Sequence, residues 1–308
     1  MVAGASLSQH LRPDIEGLRA IAIGLVLLYH AQLPWFPGGF IGVDVFFVIS
    51  GFVITSSLIR EAEEHGRIDI FNFYAKRVRR LLPAAALTLL ITAIAVRVLL
   101  PPSMWADFGG DIAAAAAYFV NFRLAARSVD YLAQDVGASP VQHYWSLSVE
   151  EQFYLIWPAL VLLAVVLARR WKRGPKVAVG MVVLALVVAP SLVYNLWQTA
   201  RDPAAAFFVT PTRLWQLGVG ALVASVWHRF PQPGRLATPL KLLALAALVW
   251  VSVFIDTSTP WPGTAALVPV LATALLILLG GRGRDGVEQV LALTPFQRIG
   301  AWSYSLYL

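Results

Sequence analysis

The 308-residue chain contains no cysteine. Disulfides and thiolate chemistry are therefore excluded, and cysteine usage says nothing about redox compartment. Charge is also scarce: Asp, Glu, Lys and Arg together make 13% of the residues, about half the share found in soluble domains. The five histidines are scattered, with no pair at ligand spacing, so no metal is expected. What fills the chain is apolar. The composition is 58% hydrophobic, in runs that approach or exceed the roughly 20 residues a bilayer crossing needs. The expected fold class is all-α: a polytopic membrane helix bundle of about eight to ten transmembrane helices. No cleavable leader stands out, because Met1 to Asp14 is polar and is followed by a full-length apolar segment that would act as an anchor. In such a chain a net charge of +7 points to cytoplasmic loops rather than to nucleic acid.

The apolar segments are 17–34, 40–59, 81–100, 105–122, 143–168, 176–196, 207–228, 237–255, 263–280 and 295–308. Lysine and arginine orient them. If all cross in alternation, the basic residues divide 12 to 12 between the two sides, which favours neither orientation. If 105–122 dips in and returns, and the N-terminus is cytoplasmic, they divide 19 inside to 5 outside. Segment 105–122 also carries Asp107, Asp111 and a run of alanines, as a re-entrant or protein-buried hairpin would. The last segment stops at Leu308 after 14 residues, short of a crossing, so the chain is expected to end inside a span.

Within this frame the stretch LRAIAIGLVLLYH places Arg19 and His30 on one helix. Their separation of eleven residues is about 20° past three turns and about 16 Å along the axis. Both side chains therefore share a face, offset by half the hydrocarbon thickness, and mark a path through the membrane. Alternatively, Arg19 snorkels to the headgroups and His30 only marks an interface. His30 and Asp44 fall at the outer ends of the first two spans. His143, Tyr144, Trp145, Glu150 and Glu151 open the span 143–168 from outside, and Arg213 lies in the outer half of 207–228. On the inner side stands the cluster KRVRR, Lys76 to Arg80, in which Arg77 and Arg80 are i, i+3 and can fork onto one phosphate group. Basic residues after a span are also ordinary topology signals. On the outer side, a histidine beside a carboxylate is the arrangement that activates a hydroxyl, although Asp44 and Glu150 could equally serve hydrogen bonds between helices. A cytoplasmic phosphate site and an outer-side base, joined by a thin arm of about 15–20 Å, suit a donor shaped like coenzyme A.

These motifs together resemble the membrane acyltransferase 3 family of transmembrane O-acyltransferases. The resemblance runs from Arg12 to Leu308. It rests on Arg19 and His30 in RPDIEGLRAIAIGLVLLYH, on Asp44 and Ser50-Gly51-Phe52 in GGFIGVDVFFVISGF, and on Arg77 and Arg80 in FYAKRVRRLLP. It rests further on HYWSLSVEEQFYLIWP and on PTRLWQLGVGAL, where Gln216 stands in place of the usual glutamate. The terminal IGAWSYSLYL is similar to the start of a longer motif, which implies that 1–308 is a single acyltransferase domain lacking at least one further span. Many relatives carry an esterase-like domain after it.

The resemblance implies acyl-CoA, acetyl-CoA first, as cytoplasmic donor, no metal, and an extracytoplasmic glycan or glycolipid acceptor at a bacterial cytoplasmic membrane. It implies His30 as general base with Asp44 or Glu150 as its partner. Arg19, Arg77 and Arg80, with the neighbouring Lys76, would hold the donor, and Tyr144, Trp145, Glu151 and Arg213 would line the acceptor side. Two other functions use the same residue types. A transporter or flippase would employ them as a proton relay, but would be expected to show a second copy of the pattern, which is absent. An inactive membrane partner would leave the His30 cluster dispensable.

Overall fold

The computed structural model describes residues 12–127, 139–230, 235–281 and 285–308. Among these, every regular element is helical, as the apolar runs require. Five helical stretches are long and apolar enough to cross a membrane: Gly39–His65, Ile70–Leu99, Tyr144–Arg170, Pro175–Arg201 and Ala237–Phe254. Of the remaining expected spans the first is 18 residues long but carries Asp14, Glu16 and Arg19, and the others are shorter or broken.

Helix α1 (Pro13–His30) begins on a proline at its first position and carries Asp14 and Glu16 in its first turn, a favourable start for a helix dipole. It stops at His30, ahead of Pro34 and Pro37. α2 (Gly42–His65) follows a short 3₁₀ turn and ends on Gly66 in the left-handed conformation. α3 (Ile70–Leu99) is capped by Asp69, whose side chain accepts from the Asn72 N–H. The segment expected to be re-entrant is two short helices, α4 (Trp105–Ala116) and α5 (Val120–Ala126), separated by a turn with Tyr118 at φ 52°. At 12 and 7 residues neither reaches across about 30 Å of hydrocarbon. α6 (Tyr144–Arg170) is continuous. α7 (Pro175–Val183) and α8 (Ala189–Arg201) are joined by a π-turn over Leu184–Val188.

The segment 207–228 is interrupted. α9 (Pro203–Phe208) ends before a 3₁₀ turn over Thr210–Thr212, and α10 (Leu214–Val226) starts after Arg213. Pro211 cannot supply the N–H a continuous helix would need. α11 (Ala237–Phe254) and α12 (Leu267–Leu279) pack on each other, and α13 (Gly286–Leu291) leads into α14 (Thr294–Tyr307).

The centre is the α2–α10 pair, the most extensive contact in the bundle, with α1 against both α2 and α14. Between membrane helices there is little hydrophobic drive to associate, so close backbone approach has to supply the attraction. Gly51 and Gly220 permit it: a Cβ on Gly51 would overlap the Leu217 carbonyl, and one on Gly220 would overlap the Val48 carbonyl. α3 is the opposite case. Leu87, Leu90, Ile91, Ile94, Val98 and Leu99 are all exposed along it, a surface fit for lipid rather than water. Its attachment to α6 and α14 runs through phenol hydroxyls. Tyr74 donates to the Leu155 carbonyl (2.6 Å), Tyr144 to that of Ala85 (3.0 Å) and Tyr304 to that of Leu81 (2.9 Å).

Candidate functional site

A narrow cavity of about 120 Å³ opens between α1, α2, α3, α6 and α14. Regular spacing brings its polar groups together. Ser146, Glu150 and Tyr154 are successive i, i+4 positions on one face of α6, and Ser303 and Tyr307 repeat that spacing on α14. Arg77 and Arg80, one turn apart on α3, enter from the side, and Arg19 enters from α1. Three guanidinium groups thus share the space with Glu150 and Glu151.

Each charge is held differently. Arg19 donates from Nε (3.1 Å) and Nη2 (2.8 Å) to Ser303 Oγ and lies 3.7 Å from Glu16. The Arg77 guanidinium sits 3.9 Å from the Tyr154 ring centroid and 5.0 Å from that of Phe73, a stacked arrangement suited to a planar cation. Its Nε is buried with no hydrogen-bond partner among the described residues. Arg80 lies at the exposed rim. Glu150 accepts from Ser50 Oγ at Oε1 (3.1 Å) and from the Tyr154 hydroxyl at Oε2 (3.1 Å). Arg77 acts electrostatically on both Glu150 and Glu151.

The structure therefore gathers Arg19, Arg77, Arg80, Glu150 and Glu151 in one place. Lys76 is exposed and does not line the cavity. Asp44 is elsewhere: its Oδ1 accepts from Arg213 Nη1 (3.1 Å) and Gln216 Nε2 (2.6 Å) in the buried core. The break before α10 turns Arg213 inward, where it also donates to the Phe207 carbonyl (3.0 Å) and lies over Trp145 and Phe207. Trp145 is buried in that aromatic cluster, and Tyr144 is committed to the α3 carbonyl. Of the residues expected on the acceptor side, only Glu151 reaches the cavity.

His30 ends α1 with an exposed ring. Its Nδ1 meets the Val26 carbonyl at 2.8 Å. A carbonyl oxygen only accepts, so Nδ1 carries the proton in this contact. The group that orients this histidine is thus the Val26 carbonyl, one turn back on its own helix, while Asp44 and Glu150 are engaged with other partners. His30 does not line the cavity. Between the two stand Tyr307 and His143. The Tyr307 hydroxyl contacts Ser146 Oγ (2.6 Å) and donates to the His143 carbonyl (3.0 Å), its ring is 6.0 Å from that of His143, and His143 in turn feels the charge of His30.

Ser303, Tyr304 and Tyr307 line the site without having been given a role from the sequence, and Ser50 and Tyr154, which also line it, stood there only as members of motifs. Serine and tyrosine are common in helices, and only their i, i+4 spacing next to Glu150 and behind Gly300 distinguishes them. A second polar cluster was also unforeseen. Gln152 donates to the Tyr118 carbonyl (2.8 Å) and Asn121 Oδ1 (2.9 Å) and accepts from Thr210, fastening the α4–α5 hairpin to the break before α10.

A bundle of long apolar helices closed around an arginine-rich cavity defines a membrane-type helical protein with a cationic interior site. Comparison with known proteins narrows this. A family model described as an acyltransferase domain matches residues 12–308, and the chain belongs to that family, the acyltransferase 3 family. It is 30% identical over 310 residues to the peptidoglycan O-acetyltransferase OatA of Listeria monocytogenes, covering 96% of this chain and 48% of that protein. It is 31% identical over 304 residues to the O-acetyltransferase OatA of Staphylococcus aureus, covering 96% of this chain and 49% of that protein. The chain spans about half the length of the curated relatives it matches. No solved structure matches it.

Proposed function

We propose that this chain is a membrane-bound O-acyltransferase that takes an acyl group, acetyl first, from cytoplasmic acyl-CoA and delivers it to a hydroxyl of a cell-envelope glycan on the far side of a bacterial cytoplasmic membrane. The observation that carries this reading is the placement of Arg19, Arg77 and Arg80 around one narrow cavity that also holds carboxylates and hydroxyls. Three guanidiniums suit the phosphates of coenzyme A. The N-terminus is cytoplasmic on this reading, which puts most basic loop residues inside. The family supports acyl transfer, and the names of the Listeria and Staphylococcus relatives support a peptidoglycan-type acceptor.

His30 serves the acceptor. Its Nε2 takes the proton of the incoming hydroxyl while the Val26 carbonyl holds the ring. Asp44, with Arg213 and Gln216, keeps the interrupted α10 in register beneath the acceptor side, and Trp145 packs against it. The test uses the chain in sealed vesicles, with [14C]acetyl-CoA on one side and soluble muropeptides on the other. Base-labile [14C]acetate on the muropeptides, lost in His30→Ala while that variant stays folded, supports the reading. Equal transfer by His30→Ala removes His30 as the base. Absence of transfer to any glycan, together with absence of acetyl-CoA binding, removes the donor assignment.

A further inference from the structure

Ser50 lies at mid-helix in α2, directly on the cavity wall. Its Oγ donates to Glu150 Oε1 at 3.1 Å, and the other oxygen of that carboxylate is held by the Tyr154 hydroxyl at 3.1 Å. A hydroxyl bonded to a base, with the base fixed by a third group, is the arrangement of an activated nucleophile. The surroundings fit that use. Arg77 is stacked on Tyr154 and Arg19 is tied to Ser303, and both guanidiniums act on Glu150. Negative charge developing beside Ser50 would therefore form among cations already in place. Gly51, the next residue, lies against the Leu217 carbonyl, so the helix that carries Ser50 is packed against α10 without freedom to shift.

The placement also answers a geometric difficulty. The donor arginines and His30 do not share the cavity, so one molecule of thioester and one acceptor hydroxyl would have to meet across the bundle in a single step. A residue in the cavity that holds the acyl group lets coenzyme A leave before the acceptor hydroxyl arrives, so donor and acceptor need not be bound together.

Building on the proposed acyltransferase activity, we propose that Ser50 is the site of a covalent acyl-enzyme, with Glu150 as its base and Tyr154 as the positioning residue. In the first half, Ser50 Oγ adds to the thioester carbonyl carbon, its proton passes to Glu150, the new C–O bond forms and the C–S bond breaks. Coenzyme A leaves as thiolate and is protonated by water on the cytoplasmic side. In the second half, the acceptor hydroxyl gives its proton to His30 and adds to the Ser50 ester. The ester C–O bond to Ser50 breaks, and Oγ recovers the proton held by Glu150. His30 returns its proton to water. The sum is thioester plus alcohol giving ester plus thiol.

The experiment incubates the purified chain in nanodiscs with [14C]acetyl-CoA and no acceptor, then quantifies released thiol and protein-bound label and maps the label by peptide mass spectrometry. The expected result is one thiol released per active chain in a burst, with a 42-unit acetyl increment, the mass of C₂H₂O, on Ser50. Label and muropeptide transfer are both lost in Ser50→Ala. Ser50→Cys carries the label as a thioester that neutral hydroxylamine removes. In Tyr154→Phe, Ser50 acetylates more slowly while acetyl-CoA affinity is retained. Transfer to muropeptides by Ser50→Ala, or label mapped to a different residue, overturns the Ser50 assignment and leaves the acyltransferase reading standing. A wild-type chain that neither binds acetyl-CoA nor transfers acetyl overturns both.

Discussion

Arg213 and Asp44, 169 positions apart in sequence, meet at 3.1 Å with their side chains 1% and 2% exposed. Each would be costly to bury alone, and together with Gln216 they form a neutral, hydrogen-bonded unit at the break before α10. Removing one member strands the other. Arg213→Ala and Asp44→Ala are each expected to lower stability by about 3–5 kcal/mol. Thermal unfolding in detergent, read by size-exclusion fluorescence, checks this. Variants that melt with the wild type would show the pair to be dispensable.

Gln216 stands where the motif resemblance implied glutamate, and the structure gives it a definite task. Its amide donates to the same Asp44 oxygen that Arg213 holds. Gln216→Glu would set a second carboxylate against Asp44 with one guanidinium between them, so lower stability is expected. Gln216→Leu removes a donor from a buried acceptor and should cost about 1–3 kcal/mol. If Gln216→Glu is the more stable of the two, the amide is not a structural donor here.

Much of this was legible in the residues. Arginines within or beside apolar runs are conspicuous, and Arg19, Arg77 and Arg80 do share one cavity. The helical fold and the break in 105–122 followed from hydropathy and from Asp107, Asp111 and the loop charges. What could not be read was the partner of each carboxylate. His30, Asp44 and Glu150 were expected in the same outer half, yet depth alone does not say which side chains face each other. The turn at Pro211 brings Arg213 to Asp44, and the face of α6 brings Glu150 to Ser50.

The tightest joint in the bundle is sterically exposed to test. Gly51 faces the Leu217 carbonyl, and Gly220 faces that of Val48, with no room for a methyl group. Gly51→Ala or Gly220→Ala must push α2 and α10 apart, at about 1–3 kcal/mol. Gly24, which has open space around its Cβ position, is the control: Gly24→Ala should be neutral or slightly stabilising, because alanine favours the helix. Melting temperatures for the three variants decide whether α2–α10 packing limits stability.

α3 carries Arg77 and Arg80, two of the arginines proposed to hold the donor, and is the least buried of the long helices, with 17% of its apolar window enclosed against 72% for the stretch containing α2. Its position depends on Tyr74, Tyr144 and Tyr304. Each Tyr→Phe change should cost about 0.5–1.5 kcal/mol. The triple variant should keep the α2–α10 core while raising hydrogen exchange along α3. Because Arg77 and Arg80 ride on that helix, acetyl-CoA affinity should fall with it. Increased exchange without loss of affinity would separate α3 packing from donor binding.

Arg77 offers the sharpest test of what the cavity holds. Its guanidinium stacks on Tyr154, its buried Nε lacks a partner, and it faces Glu150 and Glu151. Lysine would keep the charge but not the plane or the fork of donors. If Arg77 reads a phosphate through directed hydrogen bonds, Arg77→Lys should lose most of the acetyl-CoA affinity that Arg77→Ala loses. If it acts only as a point charge, lysine should restore it. Arg80, at the exposed rim, should tolerate lysine better, because water can complete its hydrogen bonds. Calorimetric titration of acetyl-CoA into each variant, repeated at two salt concentrations, distinguishes the cases: a rim contact weakens with salt, whereas an enclosed, hydrogen-bonded one does so much less. Unchanged affinity in both alanine variants would mean that the arginines balance Glu150 and Glu151 and do not touch the donor.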